Sequence, residues 1–257
     1  MYVDTLEHFA KVAEAKAAVV KEAPVSFLIG AMMAGIYVGF GIILIFSVGA
    51  FVDESIRGIV MGATFGIALT LVTFAGSELF TGHTMYMTVG WLHGRTTLRD
   101  LATAWLLSWF GNLAGAVILS VLFFAGGFGV LLKFGGDLLY DVTAAKLGKT
   151  GLELFALGIL CNWLVCLALW MVARVESDTA KCIVIFWCLL AFIASGFEHS
   201  VANMTLFAVA LLGPHPETLS FGGVTHNLLW VSAGNAIAGS LFVAVGYWWA
   251  TSPLAKR

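Results

Sequence analysis

Four ionisable side chains stand where an apolar chain would not place them: Glu78 and His83 in GSELFTGHTM (76–85), and Glu198 and His199 in ASGFEHSVANMT (194–205). They are nearly the only ionisable residues deep in any apolar run. Their types admit several chemistries. An imidazole can donate, accept or carry a proton near neutral pH, so His199 reads as a functional group on a path for protons or anions. His83 lies past the interruption and divides evenly between a functional and a structural role. Together the two histidines could instead be axial ligands of a haem, or contacts of a quinone. Ser195 or Ser200 beside His199 could be a hydrolase nucleophile, although no nucleophile-elbow pattern is present and adjacent Ser200 and His199 have poor geometry. For Glu78 and Glu198 the structural reading leads. Each carboxylate could accept hydrogen bonds from the amides of an interrupted helix, whereas a bare carboxylate in a pore would repel an anion.

The elements that must position these groups are membrane helices. Of 257 residues 11% are charged and 60% hydrophobic, with a mean hydropathy of +0.97. Soluble domains carry roughly 25% charged residues, so the composition excludes a soluble enzyme. A net charge of −2 gives no support to a nucleic-acid partner. Apolar runs fill 25–52, 58–91, 101–132, 153–173, 182–213 and 224–250. Each exceeds the ~20 residues a helix needs to cross a ~30 Å hydrocarbon core, and open strands cannot leave backbone groups unpaired in lipid. The expected fold is therefore all-α with six transmembrane helices. VDESIR, HGRTTLRD, FGGDLLYDVTAAKLGKT, RVESDTAK and GPHPETLS read as the polar connections. Nine lysines and arginines fall on the side of both termini (Lys11, Lys16, Lys21, Arg95, Arg99, Arg174, Lys181, Lys256 and Arg257) and four on the other (Arg57, Lys133, Lys146 and Lys149). The positive-inside rule then places both termini in the cytoplasm.

Residues 1–24 read as a cytoplasmic amphipathic helix, with Leu6, Phe9, Val12, Ala13 and Val20 near one face, capping-box spacing at Asp4 and Glu7, and Pro24 as its stop. No signal peptide precedes the first apolar run, which is expected to stay as a span. The channel domain covers 25–250 and the tail 251–257. Cys161, Cys166, Cys182 and Cys188 all lie in apolar runs and read as packing groups, not as disulfides or metal ligands. No metal or other cofactor is expected.

The second and fifth runs are too long for one straight crossing, and each holds one of the interruptions. Gly76-Ser77-Glu78 matches Gly196-Phe197-Glu198, Met85 matches Met204, and GNLAG from Gly111 matches GNAIAG from Gly234, at offsets of 119 to 123 residues. The halves 25–132 and 153–250 are thus expected to be repeats. With three spans each, the second half must insert upside down, which gives an inverted repeat whose broken helices meet near the midplane. Asn112, Asn162, Asn203 and Asn235 are candidates for interhelical hydrogen bonds, and Gly35/Gly39, Gly62/Gly66 and Gly111/Gly115 for close helix packing.

The motifs ELFTGHTM, GFEHSVANM and CNWLVCLALWM, with the two GN motifs, resemble the formate/nitrite transporter family over essentially the whole chain. VGFGIILIFSVG, MGATFGIALTLVTFAGSELFTGHTM and HNLLWVSAGN resemble its nitrite branch. The resemblance implies an aquaporin-like fold, a homopentamer in a bacterial inner membrane, and one pore per protomer for nitrite or a related small anion, without enzymatic activity. It implies that Thr81 and His199 face each other at the pore centre, and that Leu79, Phe80, Phe65, Leu69 and Phe192 form narrow apolar constrictions. It further implies that Asn162 is a pore asparagine and that Lys146 is the basic residue of a vestibule. Glu78, Glu198, Asn203, Gly76 and Gly196 are expected to support the broken helices. TGH at 81–83 departs from the TSS-like sequence of formate members, which weighs against formate as the main substrate. On this reading Lys146 and the broken-helix N-termini draw in the anion, and His199 supplies or relays a proton near Thr81, so that a largely neutral species crosses.

Overall fold

Small residues decide how this chain packs. The computed structural model describes residues 2–251; the expected tail with Lys256 and Arg257 lies outside the described residues apart from Thr251. All regular structure among the described residues is helical. Helix α1 (Val3–Glu22) buries Leu6, Phe9, Ala10, Ala13 and Ala17. Its start carries no side-chain cap, so the capping box suggested by Asp4 and Glu7 does not form. Glu7 is drawn off to Arg95 and Lys11. Pro24 opens α2 (Pro24–Gly49), a first-turn position where its missing N–H costs nothing.

Helix α2 lies against α5 (Leu98–Ala125) so closely that a Cβ on Gly35 would overlap the carbonyl of Asn112, and one on Gly115 the carbonyl of Met32. The same closeness recurs between α7 (Gly151–Val172) and α10 (Phe221–Ile237), where a Cβ on Gly234 would strike the Phe155 carbonyl. Of the glycine pairs singled out in the sequence, Gly66 alone has ordinary clearance, 3.7 Å to Phe186. The third packed pair is α3 (Glu54–Leu71), N-capped by Asp53, with α8 (Asp178–Ala194).

Among the described residues five helical stretches are long and apolar enough to cross a membrane: Pro24–Gly49, Glu54–Gly76, Leu98–Ala125, Gly151–Val172 and Phe221–Thr251. The second and fifth apolar runs are both broken. After α3 a π turn (Val72–Gly76) leads through Ser77 and Glu78 to α4 (Phe80–Leu92). After α8 the chain turns at Gly196 and restarts as α9 (Ser200–Leu212). At 13 residues each, α4 and α9 are ~20 Å long, short of a full crossing.

Two features depart from the sequence expectation. FGGDLLYDVTAAKLGKT, read as a connection, is mostly α6 (Leu131–Leu147), kinked at Gly135. Leu131, Gly135, Leu139 and Thr143 bury a stripe at four-residue spacing, and the interspersed Gly and Asp residues hide that period in the sequence. The last span passes through a second π segment (Ala238–Val245) before α11 (Gly246–Thr251). Cys161, Cys166 and Cys188 are buried as packing groups, but Cys182 is exposed near the start of α8.

Candidate functional site

The two breaks are built from the same parts. Gly76 and Gly196 take φ of +77° and +70°, the left-handed region that ends each preceding helix. Two residues on, the amide of Glu78 donates to the Gly30 carbonyl (3.1 Å), and that of Glu198 to the Leu157 carbonyl (3.3 Å). Nothing lies within 4 Å of a Cβ added to either glycine. Alanine there is therefore penalised by conformation alone, ~1–2 kcal/mol. Gly76→Ala and Gly196→Ala should each lower the melting temperature by about 2–8 °C, measured in detergent.

An asparagine then clamps each break. Asn112 accepts from the Phe80 amide (2.9 Å) and donates to the carbonyls of Glu78 (3.0 Å) and Ala31 (2.7 Å). Asn235 accepts from the Ser200 amide (2.9 Å) and donates to the carbonyls of Glu198 (3.1 Å) and Gly158 (2.8 Å). Both asparagines are fully buried. The glutamate carboxylates do not hold helix amides, as the sequence had suggested; the asparagines do. Glu78 is instead paired with Lys16 and, at 2.9 Å, with His83. Glu198 is paired with Lys146 (2.7 Å) and Lys149 (3.2 Å), and accepts from Asn203 (2.8 Å). Asn203 also donates to Asn227, whose amide reaches the Lys146 carbonyl.

The N-termini of α4 and α9 converge on one contact. Thr81 Oγ1 lies 3.2 Å from His199 Nε2, both residues buried. His199 is also the N-cap of α9, its Nδ1 accepting from the Ala202 amide at 3.1 Å. An acceptor at Nδ1 fixes the resting tautomer: the ring proton is on Nε2, and the imidazole is a neutral donor toward Thr81. To carry a proton it would have to protonate Nδ1 and lose the cap.

Around this contact lie three cavities in series. One of about 230 Å³ is bordered by Lys146, Asn203, Phe192 and His199. Phe192 and His199 also border the middle one, about 10 Å³, which is closed by Phe65, Leu69, Val38 and Leu79. Leu79 in turn borders a third, about 250 Å³, with Lys16, Ser77 and Thr73 on its wall. The middle cavity has room for about one water molecule, and its Phe65 and Phe192 rings meet edge to face at 5.6 Å.

Leu79, Phe65, Leu69, Phe192, His199 and Lys146 thus border three neighbouring cavities that share Phe192, His199 and Leu79 between them; Thr81 lines none of the three. Phe80 is buried but lines none of the three cavities, and Asn162 likewise stands behind the wall. Asn162 donates to the Thr81 carbonyl (3.2 Å), Thr84 Oγ1 (3.0 Å) and the Asn235 carbonyl (2.6 Å), which ties α7 to both halves of the site. Lys16 and Lys149 were counted in the sequence only for their charge. Neither lies in an apolar run, so nothing local marks them as partners of buried carboxylates. Both nitrogens of His199 are engaged and Nε2 of His83 is on Glu78, which speaks against a pair of haem ligands. Ser200 Oγ bonds to nothing, including His199, so these two neighbours do not form a hydrolytic pair.

Apolar spans, two interrupted helices and a polar contact beside a narrow apolar cavity define an all-helical membrane protein of the channel or transporter class. The formate/nitrite transporter family model matches residues 4–249, and the chain belongs to that family. It is 50% identical over 257 residues to the nitrite transporter NirC of Escherichia coli (strain K12), covering all of this chain and 95% of that protein. Among solved structures, an FNT family ion channel superposes with a TM-score of 0.94 at 50% identity, covering 97% of this chain and 99% of the other. A pentameric formate channel with formate bound superposes at 0.76 with 29% identity, covering 90% and 98%.

Proposed function

We propose that the chain is a nitrite channel of a bacterial inner membrane, working as a homopentamer with one pore in each protomer. The observation that carries the transport reading is the series of three cavities, narrowest at the apolar middle one, which His199 borders beside its contact with Thr81. Nitrite is favoured among small anions by the 50% identity to nitrite transporters over the whole chain. The pentamer is supported by likeness to the pentameric formate channel. The six-span inverted 3+3 repeat is supported by the matched breaks, with α3–α4 and α8–α9 as the broken spans. Residues 1–24 lie on the cytoplasmic surface, 25–250 form the channel in the lipid bilayer, and 251–257 return to the cytoplasm.

In this mechanism the anion enters the wider cavities, where Lys146 and Lys16 raise its local concentration. The positive ends of α4 and α9 add to that attraction. A bare anion cannot carry its water through the middle cavity. Thr81 and His199 replace that water with two fixed donors, and a proton taken up with nitrite lowers the remaining cost. Because the ring of His199 rests neutral, it acts first as a hydrogen-bond donor. Asn162, Asn203, Glu78 and Glu198 hold the two broken helices in place. Formate is the second reading, favoured by the formate-bound neighbour and weakened by the TGH sequence at 81–83.

Purified protein in proteoliposomes tests this by anion-evoked current and internal pH on pulses of nitrite, formate and hydrosulfide. The expected result is a dominant nitrite response with proton entry. A dominant formate response would reassign the substrate, and no response to any of the three would remove the channel reading.

A further inference from the structure

The two breaks share a left-handed glycine, a glutamate two residues on and an asparagine clamp, but differ in the partner five residues beyond each glutamate. There one has Asn203, donating to Glu198, and the other has His83, facing Glu78. An amide holds a carboxylate in one charge state only. An imidazole can do so neutral or charged.

The surrounding charges make that difference matter. Glu198 is matched by two lysines, Lys146 and Lys149, so that cluster has a formal charge of +1. Glu78 is matched by Lys16 alone, so with a neutral His83 its cluster sums to zero, and with an imidazolium to +1. His83 Nε2 is 2.9 Å from Glu78 Oε2, while Lys16 holds the other oxygen, Oε1. Nδ1 of His83 is buried and has no partner. A neutral ring donating from Nε2 leaves Nδ1 as a free acceptor, the position at which a second proton is taken up. Few groups compete for it. From α1 the charged group facing it is Lys16, and from the break it is Glu78. On α4 itself Tyr86 stands edge-on at 6.0 Å, with Cys166 of α7 as an electrostatic neighbour of Tyr86. From α2 and α5 the ring meets Phe27 at 5.3 Å, and its carbonyl accepts from Trp105, neither of them titratable.

We infer that His83 is a positioning residue for transport: by sharing Glu78 with Lys16, its protonation releases the Lys16 ammonium toward a small anion in the α1-side cavity. Lys16 lines that cavity beside Ser77 and Thr73, whose hydroxyls are buried and unpartnered. The effect is one-sided. Glu198 has two lysines and an asparagine but no imidazole among its partners, whereas the α1-side cavity, which His8 also lines, gains the Lys16 charge when His83 is protonated, and His83→Asn removes only that share. The inference rests on the nitrite-pore reading above. One unit charge across several ångströms of protein, at an effective permittivity of ~20 and with partial screening, changes anion occupancy roughly three- to tenfold.

The test is sided nitrite flux in oriented proteoliposomes, with pH stepped from 7.5 to 5.5 (about one unit either side of an ordinary imidazole) in the α1-side compartment alone. The parent protein should gain flux about three- to tenfold more than His83→Asn, which copies Asn203. A step on the opposite side should affect both proteins equally. Identical profiles for parent and variant would overturn the inference. Nitrogen-15 spectra of histidine-labelled parent protein in nanodiscs are read alongside. A ring titrating between pH 5 and 8 that is missing from His83→Asn supports the inference, and a ring at 83 that keeps one charge state throughout overturns it. This second readout needs no transport. A parent that carries no nitrite but whose His83 titrates would sink the channel reading and leave the charge change at His83 standing.

Discussion

Replacing His199 with asparagine is expected to cut nitrite flux ten- to a hundredfold while the protein still folds and keeps its dependence on pH. The fold survives because asparagine is a strong N-cap residue and can accept from the Ala202 amide as Nδ1 of His199 does. What is lost is the Nε2–H aimed at Thr81 across 3.2 Å. A hydrogen bond to a charged group contributes about 1.5–3 kcal/mol, which corresponds to that range of flux. Retention of the pH profile follows from the tautomer. A ring whose Nδ1 already accepts an amide proton has none to spare at rest, so pH sensitivity must come from elsewhere, from the substrate itself and from His83. The measurement is nitrite-evoked flux at several pH values for His199→Asn and the parent, with size-exclusion elution as the check on assembly. A flattened profile at nearly unchanged flux would instead make His199 the proton carrier, with α9 uncapped in each cycle.

The breaks could be located in the sequence because they violate a rule. Glutamate, histidine and paired glycines inside apolar runs have no reason to persist in lipid unless they are partnered or line a cavity, so GSELFTGHTM and ASGFEHSVANMT mark the site unaided. What holds them together is far less visible. Lys16 reaches Glu78 across 62 positions and Lys146 reaches Glu198 across 52. Neither distance has a local signature. The asparagines of the GN motifs could be named as hydrogen-bond candidates, but only the fold shows that they, and not the carboxylates, satisfy the helix amides. Helix α6 was missed for a different reason. Its two adjacent glycines and two aspartates imitate a loop, while the residues that commit it to helix, Leu131, Leu139 and Thr143, do so by packing. The π segments 72–76 and 238–245 have no composition that sets them apart from the α-helices they continue. Phe80 shows what likeness leaves out: the resemblance implies a constriction residue, and the fold adds that its amide is held by Asn112.

The largest structural loss is expected at the asparagine clamps. Asn235→Leu keeps nearly the same volume, so no cavity opens, but it orphans the Ser200 amide and the Glu198 carbonyl in a fully buried place and removes a second bond from the Gly158 carbonyl, which stays paired within α7. Two unsatisfied backbone groups at 1–3 kcal/mol each total about 2–6 kcal/mol, against a whole-domain stability of about 5–15 kcal/mol. Asn235→Asp is no rescue. It could still accept from Ser200, but it would set a carboxylate against two carbonyl oxygens and bring a charge within reach of Glu198. Both variants should therefore be recovered at less than a tenth of the parent yield as monodisperse protein. Asn112→Leu should behave alike, since Asn112 serves the Phe80 amide and the carbonyls of Glu78 and Ala31 in the same way. Asn203→Ala provides the contrast. It removes one donor from a carboxylate that keeps two lysines, and it should cost ~1–2 kcal/mol and leave the protein assembled. If Asn235→Leu instead assembled and conducted normally, the broken helix would be held by its packing alone, and the clamp would be dispensable on both sides of the pore.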